Sequence, residues 1–212
     1  MQGLQARTRH EIFENYAKQG FNLSFRDFMA GYWRRTIQQY DANGWKMIPI
    51  IVRGKLPLRA AGNYESHAAQ GPFLPVDEAL SWVTKGFNLA VAAGPSGIVW
   101  CDIDDPQFLQ PWMNIYALMR TPRGYAMPIK QQDGLTLPPS LKKKGLDFRE
   151  DVAYELVPVS ETCTKDHALH GVKHPGPREP CLDGKPHDYR VREWVNLPNK
   201  VVTLEEFIHL AT

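Results

Sequence analysis

The stretch "GIVWCDIDD", residues 97–105, constrains this chain more than any other. Four apolar residues, Ile98 to Cys101, follow Gly97 and lead into Asp102 and Asp104, with Ile103 between them and Pro106 just beyond. A run of this length bounded by Gly and Pro reads as a buried strand. Strand side chains alternate between faces, so Asp102 and Asp104 share one face and Ile103 takes the other. Two carboxylates held together on rigid backbone repel each other unless a cation sits between them. Oxygen ligands favour hard cations, and Mg²⁺ is typically held by one or two carboxylates plus substrate phosphates. The pair therefore reads either as a metal site or as a strand end whose acids meet water. Cys101, alone in the strand, reads as a core residue.

The surrounding pattern mixes strands and helices. Residues 9–40 carry aromatics at helical spacing, interrupted near Gly20, which predicts two helices with Ser24 capping the second. The stripe of Phe13, Tyr16, Phe28, Tyr32 and Trp33 reads as core packing. Strands are expected in 44–52, 87–94, 96–104, 120–130, 145–151 and 152–159, and a final one in "DYRVREWV". Helices are expected over 75–86, capped by Asp77 and stopped by Gly86, and over 106–119. "TLEEFIHLA" opens a helix with a capping box from Thr203 to Glu206. Residues 160–187, rich in His, Pro and Gly, read as a loop. This order predicts an α+β (mixed α/β) fold rather than a doubly wound parallel sheet.

At 212 residues and 43% hydrophobic the chain can bury a real core in one domain with an appendage. The net charge of +2 does not by itself call for a polyanion. Its distribution is uneven: from Arg120 to Arg149 there are seven Lys or Arg against two acids, including Lys142, Lys143 and Lys144. Such a run is a solvated loop or, beside a carboxylate pair, a hold on nucleic-acid backbone. No segment reads as a membrane span or a signal peptide. Three cysteines, an odd number, argue against a secreted disulfide framework, so a cytoplasmic location is expected.

Two of those cysteines fall in a cluster. "CTKDHALHGVKHPGPREPC" holds Cys163, His167, His170, His174 and Cys181 within nineteen residues. Tetrahedral zinc needs four N or S ligands, which this loop supplies with one to spare. A loop with little core of its own would draw folding energy from the metal. The alternative is a polar insertion with incidental histidines. His10, His67, His187 and His209 have no evident partners.

Four stretches, "GWKMIPI…GKLP", "GFNLAVAAGPSGIVWCDIDD", "RTPRGYAMPI" and "GLDFREDVAYELVPVS", carry a resemblance in their order. The chain resembles the bifunctional primase–polymerase (prim–pol) domain of the archaeo-eukaryotic primase superfamily, found in plasmid and phage replication proteins. The similarity spans about residues 40–195. It implies mixed sheets flanked by helices and an RRM-like catalytic half. The organisation expected is an N-terminal helical extension (1–40), a catalytic domain (41–195) with a zinc-loop insertion (161–187), and a C-terminal helix or linker (196–212). By the resemblance, Asp102, Asp104 and Asp147 would bind catalytic Mg²⁺ or Mn²⁺, and two such ions serve nucleotidyl transfer. Lys55, Arg123 and Arg149 are candidate cations for a triphosphate, each otherwise a surface charge, and Ser160, which closes the turn Pro158 to Ser160, is a further candidate nucleotide contact. Similar domains carry a Cys/His zinc stem just after that turn. At one position the chain departs from the family: Ala126 stands where a phosphate-contacting His is expected, and a methyl group neither donates a hydrogen bond nor carries charge.

The leading expectation is a DNA primase–polymerase acting on template, primer and nucleoside triphosphates, with a helicase region in a longer parent chain. The second is a zinc-containing module of a replication initiator that holds DNA or nucleotide without synthesis, and the third a metal-dependent nuclease.

Overall fold

The computed structural model describes residues 7–55, 57, 72–142, 145–164, 181, 185 and 188–212. Two helices open the described chain, α1 (Arg9–Ala17) and α2 (Phe25–Ala42). Each begins where a hydroxyl accepts an otherwise unpaired backbone N–H: Thr8 forms a capping box with Glu11, and Ser24 accepts from the N–H of Asp27. Strand β1 (Met47–Ile50) and helix α3 (Val76–Thr84) follow, then β2 (Asn88–Ala92) and β3 (Ile98–Ile103). Next come β4 (Leu118–Arg120), β5 (Tyr125–Lys130), the short α4 (Pro139–Lys142), β6 (Leu146–Arg149) and β7 (Tyr154–Leu156). The described chain ends with β8 (Glu161–Cys163), β9 (Tyr189–Val191), β10 (Glu193–Asn196), β11 (Val202–Thr203) and α5 (Leu204–Ala211).

The strands form three sheets. The largest has the order β10-β4-β5-β3-β6, with β11 added parallel to the far part of β5. A three-stranded sheet runs β1-β2-β7, and β8 pairs with β9. The alternation read in residues 98–104 sorts β3 into two faces. Val99, Cys101 and Ile103 pack with Met127, Ile129, Leu146 and, from α5, Phe207. Ile98 and Trp100 face the other way, into a core shared with Leu89 and Val91 of β2 and with Ile37 and Tyr40 of α2. Trp100 donates from its indole N–H to the Val91 carbonyl at 3.3 Å, tying the two sheets together. Trp45 meets Trp100 edge to face at 5.9 Å and stacks near Tyr40 at 5.6 Å.

The N-terminal helices and α5 belong to these cores. Ile12, Phe28 and Met29 form a cluster with Val191, and Arg7 ion-pairs with Glu193. The aromatic stripe of the first forty residues packs around that cluster, with Phe28 buried and Phe13, Tyr16, Tyr32 and Trp33 half-buried. Helix α2 runs across residue 40 without a break.

Four local expectations are corrected. Helix α3 has Pro75 as its N-cap and no side-chain cap; Asp77 lies inside the first turn, where its charge suits the helix N-terminus. Residues 106–119 are not a helix but two 3₁₀ turns, Pro106–Phe108 and Pro111–Asn114, leading into β4. Pro111 has no N–H to donate and crowds the preceding turn, so a helix begun at Pro106 cannot pass through it. "DYRVREWV" divides into β9 and β10 at Arg192. The start of the expected loop at 160–187 is the buried strand β8, which finds its partner in β9.

Ser160 lies fully buried at the turn before β8. Its hydroxyl accepts from the Leu89 N–H at 2.9 Å and donates to the Leu89 carbonyl at 2.7 Å. The Leu89 carbonyl also accepts from the Val157 N–H at 3.1 Å, so just past the end of β7 the hydroxyl takes the place of a ladder acceptor for the Leu89 N–H. Ser160→Ala should leave the buried Leu89 N–H unpaired and cost about 1–3 kcal/mol in urea unfolding; an unchanged midpoint would show that the clip is dispensable.

Candidate active site

A cleft of about 430 Å³ opens between the larger sheet and β7, lined from both sides. The double pairing of β3 sets its floor. Asp102 stands directly across from Asp147 on β6 and from Ala126 on β5, so all three side chains project from one face. Asp104 follows the last residue of β3 and lines the same cleft. The sequence-derived trio Asp102, Asp104 and Asp147 is thus brought together. Asp147 is exposed, while the Asp102 side chain is only 13% accessible.

The turn between β4 and β5 presses on the carboxylates. Thr121 accepts the Gly124 N–H on its hydroxyl at 3.1 Å and donates its own N–H to the Gly124 carbonyl at 2.9 Å. A Cβ at Gly124 would collide with the Ile103 carbonyl and lie 2.9 Å from the Cα of Asp104. Glycine here lets the turn lie against the end of β3, and Thr121, Arg123 and Tyr125 then line the cleft with Asp104. Gly124→Ala should push this turn away, costing stability by urea unfolding and weakening nucleotide binding together; retention of both would mean that the backbone yields freely.

Lys55 also lines the cleft. Its loop is anchored by Asn88, whose amide donates to the Gly54 carbonyl at 2.8 Å and to the Glu161 carbonyl at 2.9 Å, and accepts from the Glu161 N–H at 2.9 Å. Tyr154 adds a bond from its hydroxyl to the Lys55 carbonyl at 3.0 Å. Burial lowers the Lys55 ammonium below its ordinary pKa; Arg192, Arg149 and Arg123 push the same way, against Glu155. Cations are therefore crowded on this side.

Sequence reasoning missed the two residues at the centre of that crowd. Arg149 donates to Asp102 and, at 3.0 Å, to Glu155, which also receives Arg192 at 3.3 Å. Glu155 and Arg192 are each only 4% exposed. The one signal for Glu155 was a charge inside the otherwise apolar and aromatic run "VAYELVPV"; Arg192 sits in an unremarkable stretch with charges of both signs. Burial pushes the Asp102 carboxyl up to about 7, with Glu155 adding and Arg149 opposing. Burial also pushes the Cys101 thiol up, consistent with a core position.

Two expected nucleotide contacts fall outside the lining. Ala126 is fully covered among Trp100 and Met119, and the Ser160 hydroxyl is taken up by Leu89. Cys163 and Cys181 are both buried, and His167, His170 and His174 lie outside the described residues. Among the described residues no group of three Cys, His, Asp or Glu side chains closes into a finished metal cluster, and Asp102 gives an oxygen to Arg149. The chemistry of the donors nonetheless fits a hard divalent ion, since three carboxylates line one cleft and Mg²⁺ shares its coordination with phosphates and water. No described helix is long and apolar enough to cross a membrane.

Fold and cleft together define an α+β domain whose cleft is lined by carboxylates and cations. The chain belongs to the family of bifunctional DNA primase/polymerase N-terminal domains (Prim-Pol), whose family model matches residues 37–181. That span takes in Asp102, Asp104 and Asp147 and stops short of Arg192. No curated protein matches the chain.

The raised Asp102 sets a pH dependence. The folded state keeps a proton that the unfolded chain has already lost, so this group's contribution is fully present at low pH and disappears as pH rises through about 7. Urea midpoints of chelator-treated protein should fall from about pH 5 to about pH 8, and fall less in Asp102→Asn. Parallel pH profiles in the two proteins would contradict the shift.

Proposed function

We propose that the chain is a DNA primase–polymerase that transfers nucleotides from nucleoside triphosphates to a primer or initiating nucleotide on a DNA template. The observation that carries this reading is one cleft holding Asp102, Asp104 and Asp147 beside Lys55, Arg123 and Arg149. In the reaction a 3′-oxygen bonds to the α-phosphorus, the bond to the β-phosphate oxygen breaks, pyrophosphate leaves and the hydroxyl proton passes to solvent. Mg²⁺ or Mn²⁺, held by the three aspartates, would activate the attacking oxygen and neutralise the leaving one. Lys55, Arg123 and Arg149 orient the triphosphate, and the turn at Gly124 keeps Arg123 over the carboxylates. Zinc on Cys163, Cys181 and two of His167, His170 and His174 would hold the segment after β8, and the supply of two thiolates and three imidazoles within nineteen residues supports this.

A second reading is a replication-initiator module that binds DNA or nucleotide without synthesis. Ala126, covered and unable to contact phosphate, favours it. Incubation with primed template, Mn²⁺ and labelled deoxynucleotides separates the readings. Extension by the parent protein that vanishes in Asp102→Asn and Asp104→Asn supports the polymerase. Binding without extension supports the module, and degradation of the template would make the chain a nuclease.

A further inference from the structure

Among the described carboxylates lining the cleft, Glu155 is the one that nucleotidyl transfer leaves without a part. It occupies the middle of β7, and each of its oxygens receives a different guanidinium: Oε2 takes Nη1 of Arg149 at 3.0 Å, and Oε1 takes Nη2 of Arg192 at 3.3 Å. Arg192 is held from three directions. Its Nη1 donates to the Thr162 hydroxyl at 3.3 Å, its backbone N–H donates to the Ser160 carbonyl at 3.0 Å, and its side chain ends on Glu155. Its Nε is buried and finds no partner among the described residues.

A buried ion pair recovers its desolvation cost only when the geometry is good, so a carboxylate shared by two arginines is weak as a stability device. It is better suited to holding cations for something else. Arg149 is shared between Asp102 and Glu155. Were Asp102 to hold a divalent ion, Glu155 would be the described carboxylate left to both Arg149 and Arg192. Guanidiniums favour phosphate through paired, directional bonds, which require their planes to be set beforehand.

We propose that Glu155 is a positioning residue whose two oxygens hold Arg149 and Arg192 side by side as a fork for the triphosphate of the incoming nucleotide. The proposal rests on the nucleotide-binding reading above and extends it to Arg192, outside the span shared with the family model. Burial and Arg149 work against charged Arg192, and Glu155 is the largest opposing influence.

The sign of one substitution separates positioning from bulk electrostatics. If Glu155 only lowered the positive potential of the cleft, its neutralisation would tighten phosphate binding. If it sets the two arginines, neutralisation loosens binding although the cleft becomes more positive. The test is calorimetric titration of the full chain with dATP and with inorganic tripolyphosphate in Mg²⁺, alongside the unfolding midpoint of each protein. Glu155→Gln should weaken both ligands about tenfold, the loss of roughly one charge-assisted bond. Arg192→Lys, which keeps the charge but cannot bridge Glu155 and Thr162, should weaken them similarly. The double variant should be no weaker than the worse single one, because the two changes remove the same arrangement. Equal or tighter binding by folded Glu155→Gln overturns the proposal, as do additive losses. Should that variant fail to fold, unchanged affinity in Arg192→Lys overturns it. Failure of the parent protein to bind either ligand removes the nucleotide reading first, and the fork with it.

Discussion

The double pairing of β3, with β5 along one edge and β6 along the other, is the constraint on which the cleft depends. A strand hydrogen-bonded on both edges cannot slip by one residue without exchanging its faces. A slip here would place Asp102 among Met127 and Phe207, and Cys101 in the cleft. Burial on both faces of β3 therefore specifies the register, and the register brings Asp102 opposite Asp147. Trp100, one step back on the same face as Asp102, closes the core between the two sheets and ends the apolar part of that face.

Beyond Trp100 the same face becomes a field of opposed charges. Asp102, Asp104, Asp147 and Glu155 share the cleft with Lys55, Arg123, Arg149 and Arg192. Partly buried charges at hydrogen-bond distance interact far more strongly than on an open surface. Burial, which disfavours the charged forms, raises the carboxyl of Asp102 and lowers the ammonium of Lys55, and neighbouring like charges add to both shifts. On the proposed reading, a divalent ion on the aspartates would take Asp102 from Arg149 and leave that arginine on Glu155, and an anion among the cations would relieve their mutual repulsion.

Local pattern carried much of the architecture. The caps at Ser24 and Thr203 and the strand 98–103 with its two faces are short-range features, decided by capping chemistry and side-chain period. Errors arose where a distant partner decides. Apolar residues at 106–119 resemble a helix until β5 and β10 claim Leu118–Arg120. Strand β8 is visible only once β9, which begins twenty-six residues beyond Cys163, provides its ladder. Asp77 and Pro75 differ by two positions, within the ordinary uncertainty of a helix end.

The sequence by itself determined the acidic strand end, the α+β order of elements and the motifs of the primase–polymerase family. These depend on residues close together in the chain, whose spacing can be read directly. Tertiary structure alone decided that Glu155 and Arg192, thirty-seven positions apart, meet beneath Arg149, and that Ala126 and Ser160 are spent on packing and backbone bonding. A long-range ion pair leaves no periodicity, because the chain between its partners can take many lengths and paths. Only the sheets, by fixing where those paths return, bring the two charges to one place.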